Sequence, residues 1–263
     1  MYLIKHEIIA PATMLRSFVQ YFWTLKVERS TTNESPIRTF VDDSSGIVME
    51  FALDPEGYFP KRTMVYGQTT TPTENRDNPS FLALGVLLHP AAIHELFGMN
   101  AHELTNQRIR LDEFSRISFT DIISSKKNIP DIIQVLSAYF AAKIADVKGQ
   151  DTFIRHCIQH IKNRVETVTV KELCDCYSIS ERQLERKLLT IIGVTPRHYI
   201  KTIRFKKALT LIAGKSFNKL SDIAYQLNYF DQAHFIRQAK DLSGLNPKLL
   251  QSQMNIKVAN IIL

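Results

Sequence analysis

Residues 221–244 read SDIAYQLNYFDQAHFIRQAKDLSG, and the reading of this stretch decides the fold of the C-terminal half. Ile223, Ala224 and Leu227 fall on one face at helical spacing. Asn228 follows where the chain must turn, and asparagine is among the few non-glycine residues that tolerate positive φ. Asp231 is placed to cap a second helix, with Phe235 as its buried anchor. Two short helices broken by a tight turn form a helix-turn-helix, a unit whose second helix enters the DNA major groove. Generic helical hairpins share the pattern, so the segment alone leaves both readings open.

A second copy lies upstream. With a shift of 51 residues, Ser180 aligns with Asp231, Leu184 with Phe235, Arg186 with Arg237, Gly193 with Gly244 and Pro196 with Pro247. The turn before each second helix differs, because Cys174 to Ser180 is one residue shorter than Ala224 to Asp231. Caps, anchors and exits recurring in phase point to a duplicated helix-turn-helix.

These residues, above all YFDQAHFIRQAKDLSGLNP from Tyr229 to Pro247, resemble the DNA-binding domain of AraC/XylS-type transcription regulators over roughly residues 153–250. Three positions depart from the family pattern. Leu188 and Ala239 stand where it mostly carries Phe, and Asn228 stands where it carries Gly, so Ala239 leaves the second core one ring short. The resemblance implies a sequence-specific regulator that binds double-stranded DNA and works with RNA polymerase, with no cofactor. A small-molecule effector or a homodimer contact would belong to the N-terminal part. There LHPAAIHELFGMNAHELTNQRIRLDEF, from Leu88 to Phe114, is similar to a segment that follows the sheet in some sensor domains of that family.

Charge and length agree with a two-part chain. At 263 residues two domains are favoured over one. From Asp151 onward there are 18 Lys+Arg against 9 Asp+Glu, a net +9, which leaves −2 for the preceding residues out of the total of +7. The basic excess therefore lies with the duplicated motif, the footprint of a polyanion partner. The three cysteines, none in a C-x-x-C pair, suggest a reducing compartment. No apolar run approaches the roughly 20 residues that span a bilayer, and the start, MYLIKHEIIAPATMLRSF, lacks a signal peptide's long apolar region. The expectation is a cytoplasmic protein with no membrane partner.

The pattern before the motifs predicts a mixed α/β domain over residues 1–150. Leu15, Phe18, Val19 and Phe22 at helical spacing predict a short helix over Pro11–Tyr21. Strands are expected at Ile37–Val41, Gly46–Leu53, Thr63–Tyr66 and Phe81–Leu88, a turn at Asp54–Gly57 and a polar loop over Thr69–Asn78. A small jelly-roll or cupin-like sheet with helices is one architecture these strands allow. His89-Pro90 ends the last strand, and a helix over Ala91–Phe97 is closed by Gly98. Ile132, Ile133, Val135, Leu136, Tyr139, Phe140 and Ile144 make a broad apolar stripe on a linker helix at about residues 131–148. That stripe either packs on its own domain or pairs two chains. Lys148–Asp151 reads as the joint, and residues 151–263 as the all-α domain of two helix-turn-helix motifs on a long connector helix.

Catalytic and metal chemistry find little support. His89, His94 and His102 with Glu95 and Glu103 cluster locally but match no ligand spacing. His156 and His160 share a helix face without a third ligand in view, and Ser44-Ser45-Gly46 lacks the context of a nucleophile elbow. The alternative reading is an enzyme or small-molecule-binding protein with an accessory DNA domain, such as a DNA-repair alkyl acceptor. Such a protein needs a reactive cysteine in its N-terminal half, and the cysteines here lie at 157, 174 and 176.

Thr169–Glu172 and Ser180–Gln183 have the form of capping boxes, and Asn218 is placed to cap the first helix of the second motif. With Leu184 and Leu188 inward, Arg182, Glu185 and Arg186 point away from the core. The arginines suit bidentate contacts to guanine, and Glu185 could accept from cytosine. In the second motif Gln232, His234 and Arg237 are the candidate base readers, while Ala233 and Ile236 offer apolar contacts such as to a thymine methyl. Lys187, Lys201, Arg204, Lys206 and Lys207 are the candidate phosphate contacts. A connector over Pro196–Ala213 spans roughly 27 Å at 1.5 Å per residue, which suits helices in successive grooves about 34 Å apart.

Overall fold

In the computed structural model, the residues described are 3–28, 37–54, 57–75, 81–111, 122–123, 126, 128–147, 149, 151–214, 217, 219–253, 257–258 and 261–262. The N-terminal part holds β1 (Leu3–Ile9), β2 (Val19–Glu28), β3 (Ile37–Thr39), β4 (Ser45–Asp54), β5 (Gly57–Tyr66), β6 (Thr73–Asn75), β7 (Phe81–Leu88), α1 (Ala92–Phe97), β8 (Arg108–Arg110) and α2 (Ile129–Ala145). Six strands form one antiparallel sheet in the order β1-β2-β7-β4-β5-β8.

Strand β7, FLALGVLL, is near-continuously apolar because both of its faces are covered. On one face Phe22, Ile47, Val65 and Leu84 join the core that also takes in α1 and α2. On the other, Trp23, Leu25, Val27, Ala83 and Leu87 form a smaller cluster. Gly85 makes room for the indole, since a Cβ there would lie 2.1 Å from Trp23 Cε2.

The helix expected over Pro11–Tyr21 is a single 3₁₀ turn at Thr13–Leu15 followed by strand β2. Leu15, Phe18 and Phe22 are buried together as their spacing required. A turn leading into a strand satisfies that spacing too, and the β-branched and aromatic run Val19–Glu28 pairs on both sides, with β1 and β7. The Thr69–Asn78 loop contains β6, and β3 stops at Thr39 because Phe40 and Val41 leave for another core. The expected turn at Asp54–Gly57, the joint at Lys148–Asp151 and the cap at Asn218 fall partly or wholly outside the described residues.

Helix α2 starts under an Asn128 cap with Pro130 in its first turn. Ile132, Leu136 and Phe140 are buried in the N-terminal core, and Ile133, Tyr139 and Ile144 lean on it. Each of the three buried side chains contributes about 1.5–3 kcal/mol. The apolar stripe is thus occupied by its own domain.

The C-terminal part is helical: α3 (Thr152–Asn163), α4 (Val170–Tyr177), α5 (Glu181–Ile191), α6 (Pro196–Ala213), α7 (Leu220–Gln226), α8 (Gln232–Ser243) and α9 (Pro247–Gln253). Two short strands follow, β9 (Lys257–Val258) and β10 (Ile261–Ile262). β10 returns to pair with β3, giving a second sheet in the order β6-β3-β10-β9. Each motif has its own core, one around Leu173, Leu184, Leu188 and Tyr199, the other around Ile223, Leu227, Phe235 and Leu242. No helix among the described residues is long and apolar enough to cross a membrane.

Candidate nucleic-acid interface

Local chemistry sets both second helices. Ser180 caps α5 and exchanges bonds with Gln183 in a complete capping box. Asp231 caps α8 by accepting from His234 N at 2.6 Å. The turns before them pass through left-handed backbone at Ser178 (φ 49°) and Asn228 (φ 53°). At Thr169 only half of the expected box forms. Thr169 accepts from Glu172 N, but the Glu172 carboxylate is drawn to Arg164 at 2.5 Å and His160 at 3.3 Å. The cap residue of α7 is Lys219, whose backbone N–H donates to Asp222 at 2.8 Å.

Leu184 and Leu188 are buried on α5, which leaves Arg182, Glu185 and Arg186 exposed on its other side. On α8, Phe235 and Ala239 are buried while Gln232 and Arg237 are exposed. His234 behaves differently from the expectation. It is half-buried, with its ring edge-on to Tyr229 at 5.3 Å.

The N-terminal part holds the opposite ends of these helices. Both helices exit through left-handed glycines, Gly193 (φ 99°) and Gly244 (φ 74°). The Gly193 carbonyl accepts from Thr105 Oγ1 at 2.7 Å and lies 3.2 Å from His102 Nδ1, at the 3₁₀ turn Ala101–Leu104. A Cβ on Gly193 would come within 2.8 Å of the Ala101 carbonyl oxygen. Gly244 faces Pro72, 3.8 Å from its would-be Cβ. The first turns of both helices are exposed, and on α5 the outward Arg182, Glu185 and Arg186 share a pocket with Asn100 and His102 of the N-terminal part.

Three further contacts tie the two parts together. Glu95, its side chain 3% exposed, binds the Arg155 guanidinium at 2.5 Å, and Arg155 also donates to Ser17 O at 3.1 Å. Val41 N donates to Leu242 O at 3.0 Å, carrying Phe40 and Val41 into the second motif's core. Asp43, 1% exposed, accepts from Tyr199 Oη at 3.2 Å and from Lys206, with Lys162 at 3.4 Å. Burial alone would raise the Asp43 pKa, but the Lys206 and Lys162 charges and the Lys206 hydrogen bond hold it well below the ordinary carboxyl value. Burial likewise pulls Lys206 down, and attraction to Asp42 and Asp43 overrides it, so the ammonium stays charged.

The candidate phosphate residues all have partners within the chain. Lys187 lies 3.6 Å from Asp151, Lys201 lies 3.7 Å from Asp241, and Arg204 donates to Val165 O at 3.0 Å. Lys207 pairs with Glu166. The three lysine pairs are surface ion pairs worth at most about 1 kcal/mol, so a phosphate could replace them, whereas Arg204 is held by a part-buried bond to main chain. Lys206 is set apart, because it bridges Asp42 at 2.6 Å and Asp43, both buried on the other domain. Asp42, Asp43 and Tyr199 carried no sequence signal of this role, since they meet across more than 150 positions.

The histidines considered as ligands bond to main chain instead: His89 to Arg16 O, His94 to Met99 O and His102 to Gly193 O. His156 is exposed, and His160 lies against Glu172 and Tyr177. Among the described residues no group of three or more His, Cys, Asp or Glu is placed to hold a metal.

Residues 173–253 match a family described as a helix-turn-helix domain, and residues 7–110 match a domain of unknown function, DUF6597. The HTH-type transcriptional activator RhaS of Yersinia pestis is 33% identical over 92 residues, 35% of this chain and 33% of its own length. The HTH-type transcriptional activator Btr of Bacillus subtilis is 26% identical over 141 residues, 53% of this chain and 26% of its own. The matched stretch thus spans about a quarter to a third of these curated relatives. The solved structure of ToxT from Vibrio cholerae aligns over 95% of this chain and 98% of that one, at 12% identity and a TM-score of 0.45. With two capped motifs in series on one connector, residues 173–253 form a helix-turn-helix domain similar to that of the transcriptional activators RhaS and Btr.

Proposed function

We propose that the protein is a sequence-specific, double-stranded-DNA-binding transcription regulator in which one chain reads two adjacent half-sites. The observation that carries this reading is the pair of recognition helices, α5 and α8. Each has its N-terminal turn exposed and a backbone carbonyl at its C-terminal end, Gly193 O or Leu242 O, bonded to the other domain. Helix α6 between the motifs has 18 residues and so a length of about 27 Å, close to the separation of successive major grooves. Arg182, Glu185 and Arg186 read bases in the first half-site, and Gln232 and Arg237 do so in the second. His234 supports Tyr229 and contributes from the groove edge. Lys187, Lys201 and Lys207 exchange their weak partners for phosphates, whereas Arg204 keeps its main-chain bond and Lys206 stays with Asp42 and Asp43.

The domain boundary in this reading lies near Asp151, with residues 1–150 acting as the sensing or pairing part. A small-molecule effector or a second copy of the chain would act through that part, and RNA polymerase would be the target at the promoter. The RhaS and Btr matches, both to transcriptional activators, support regulation over catalysis. A cytoplasmic location follows from access to DNA. Selection from random duplexes with the full chain should yield a bipartite site, with binding that weakens steeply as salt rises. Binding without base preference, or none to any duplex, refutes the reading.

A further inference from the structure

The two motifs differ by one residue, and the structure locates it. In the first, Ile179 N donates to Cys174 O at 3.1 Å, directly after left-handed Ser178. In the second, Tyr229 N donates to Ala224 O at 2.9 Å, directly after left-handed Asn228. Tyr229 is therefore the backbone counterpart of Ile179. The cap Ser180 follows Ile179 at once, whereas Phe230 intervenes between Tyr229 and the cap Asp231.

The insertion changes which side chain secures the helix start. Ile179, immediately before its cap, packs on the first core, the position of a hydrophobic staple. In the second motif Tyr229 takes that task. Its ring lies 5.2 Å from Phe235, and its hydroxyl donates to Gln238 Oε1 at 2.7 Å. Phe230 is left with no core to join and stands 92% exposed at the tip of the turn, beside the N-terminus of α8.

We propose that Phe230 is a specificity-determining residue that contacts a thymine methyl group in the half-site of the second motif. The inference rests on the DNA-binding reading above. An exposed ring beside the end of a recognition helix that enters the groove meets base edges, and the thymine C5-methyl is the apolar group displayed there. Exposed Ala233 and half-buried Ile236 add further apolar surface on the same helix. The first motif instead presents Arg182, Glu185 and Arg186. The two halves of the site should therefore differ in kind, with a thymine preference present in the second beside the bases read by Gln232 and Arg237 and absent from the first.

The test uses the full chain, random-duplex selection and replacement of thymine by uracil, which deletes only the methyl group. Wild type should select thymine at one position of the second half-site, and uracil there should weaken binding about fourfold, the worth of one buried methyl group. Phe230→Ser should lose that preference and the uracil effect, keep its melting temperature, and leave the selection by Arg182 and Arg186 unchanged. Phe230→Leu should retain most of the preference. If Phe230→Ser selects the same site with the same uracil penalty, the inference is overturned while the DNA-binding reading stands. If the substitution alters only self-association, Phe230 serves a second copy of the chain and the inference is equally overturned. Failure of wild type to prefer any duplex overturns both.

Discussion

The carboxylate of Asp43, just before strand β4, accepts a hydrogen bond from the Tyr199 hydroxyl on the connector helix at 3.2 Å. Both side chains are almost wholly buried. The same carboxylate takes Lys206 two turns further along that helix and approaches Lys162 from α3. One acidic residue of the N-terminal domain thus holds the helix from which both motifs hang.

Removing that charge should loosen the junction. Asp43→Asn is expected to cost about 1–3 kcal/mol in thermal or urea unfolding, since it leaves the partly exposed Lys206 and Lys162 without their buried counter-charge. A double-mutant cycle with Lys206→Ala should show strong coupling, because each substitution removes the other's partner. Additive effects would mean that the two charges do not stabilise the junction together.

The pH dependence has a definite sign. The folded Asp43 pKa lies below the ordinary value of 3.8, so its contribution to stability is fully present above about that pH. It is lost as pH falls below that value toward the depressed folded pKa. Wild type should therefore lose melting temperature more steeply than Asp43→Asn below about pH 4. Parallel acid limbs for the two proteins would contradict this assignment.

Base reading and phosphate binding should separate cleanly in the first motif. Arg186→Ala should cost about 1–3 kcal/mol at the selected site and relax preference at one base position. Lys201→Ala should weaken all duplexes alike and flatten the log-log salt slope by about one unit. Lys206→Ala should lower the melting temperature and leave the salt slope unchanged. Equal slopes for all three variants would remove the distinction drawn between Lys201 and Lys206.

Ala239 tests how complete the second core is. Phe40 from the N-terminal domain adds a ring to the same cluster, edge-on to Phe205 at 6.4 Å. Ala239 is 0% exposed, and its carbonyl accepts from the Ser243 hydroxyl at 2.6 Å. Ala239→Phe should therefore overpack the site and destabilise by about 1–3 kcal/mol. A higher melting temperature would instead reveal an unfilled space beside Phe235.

What the sequence by itself determined is whatever one or two turns of chain can decide. Ser180 with Gln183, and Asp231 before Phe235, fix where the recognition helices begin, because caps act over three residues. Asn228 takes positive φ, and the duplication places Leu184 and Phe235 inward and Arg182 and Arg186 outward. The run FLALGVLL marks the central strand for the same local reason. Where two local solutions bury the same residues, as at Leu15, Phe18 and Phe22, spacing predicted a helix and strand pairing decided for β2. Tertiary structure alone decided that Asp43 would meet Tyr199 and Lys206, that Phe40 would complete a distant core, and that β10 would close on β3. It also separated Lys206 from Lys201, two residues of one helix that look alike in sequence. The difference between them is a buried carboxylate supplied from more than 160 positions away, and no local pattern encodes a partner that only folding brings near.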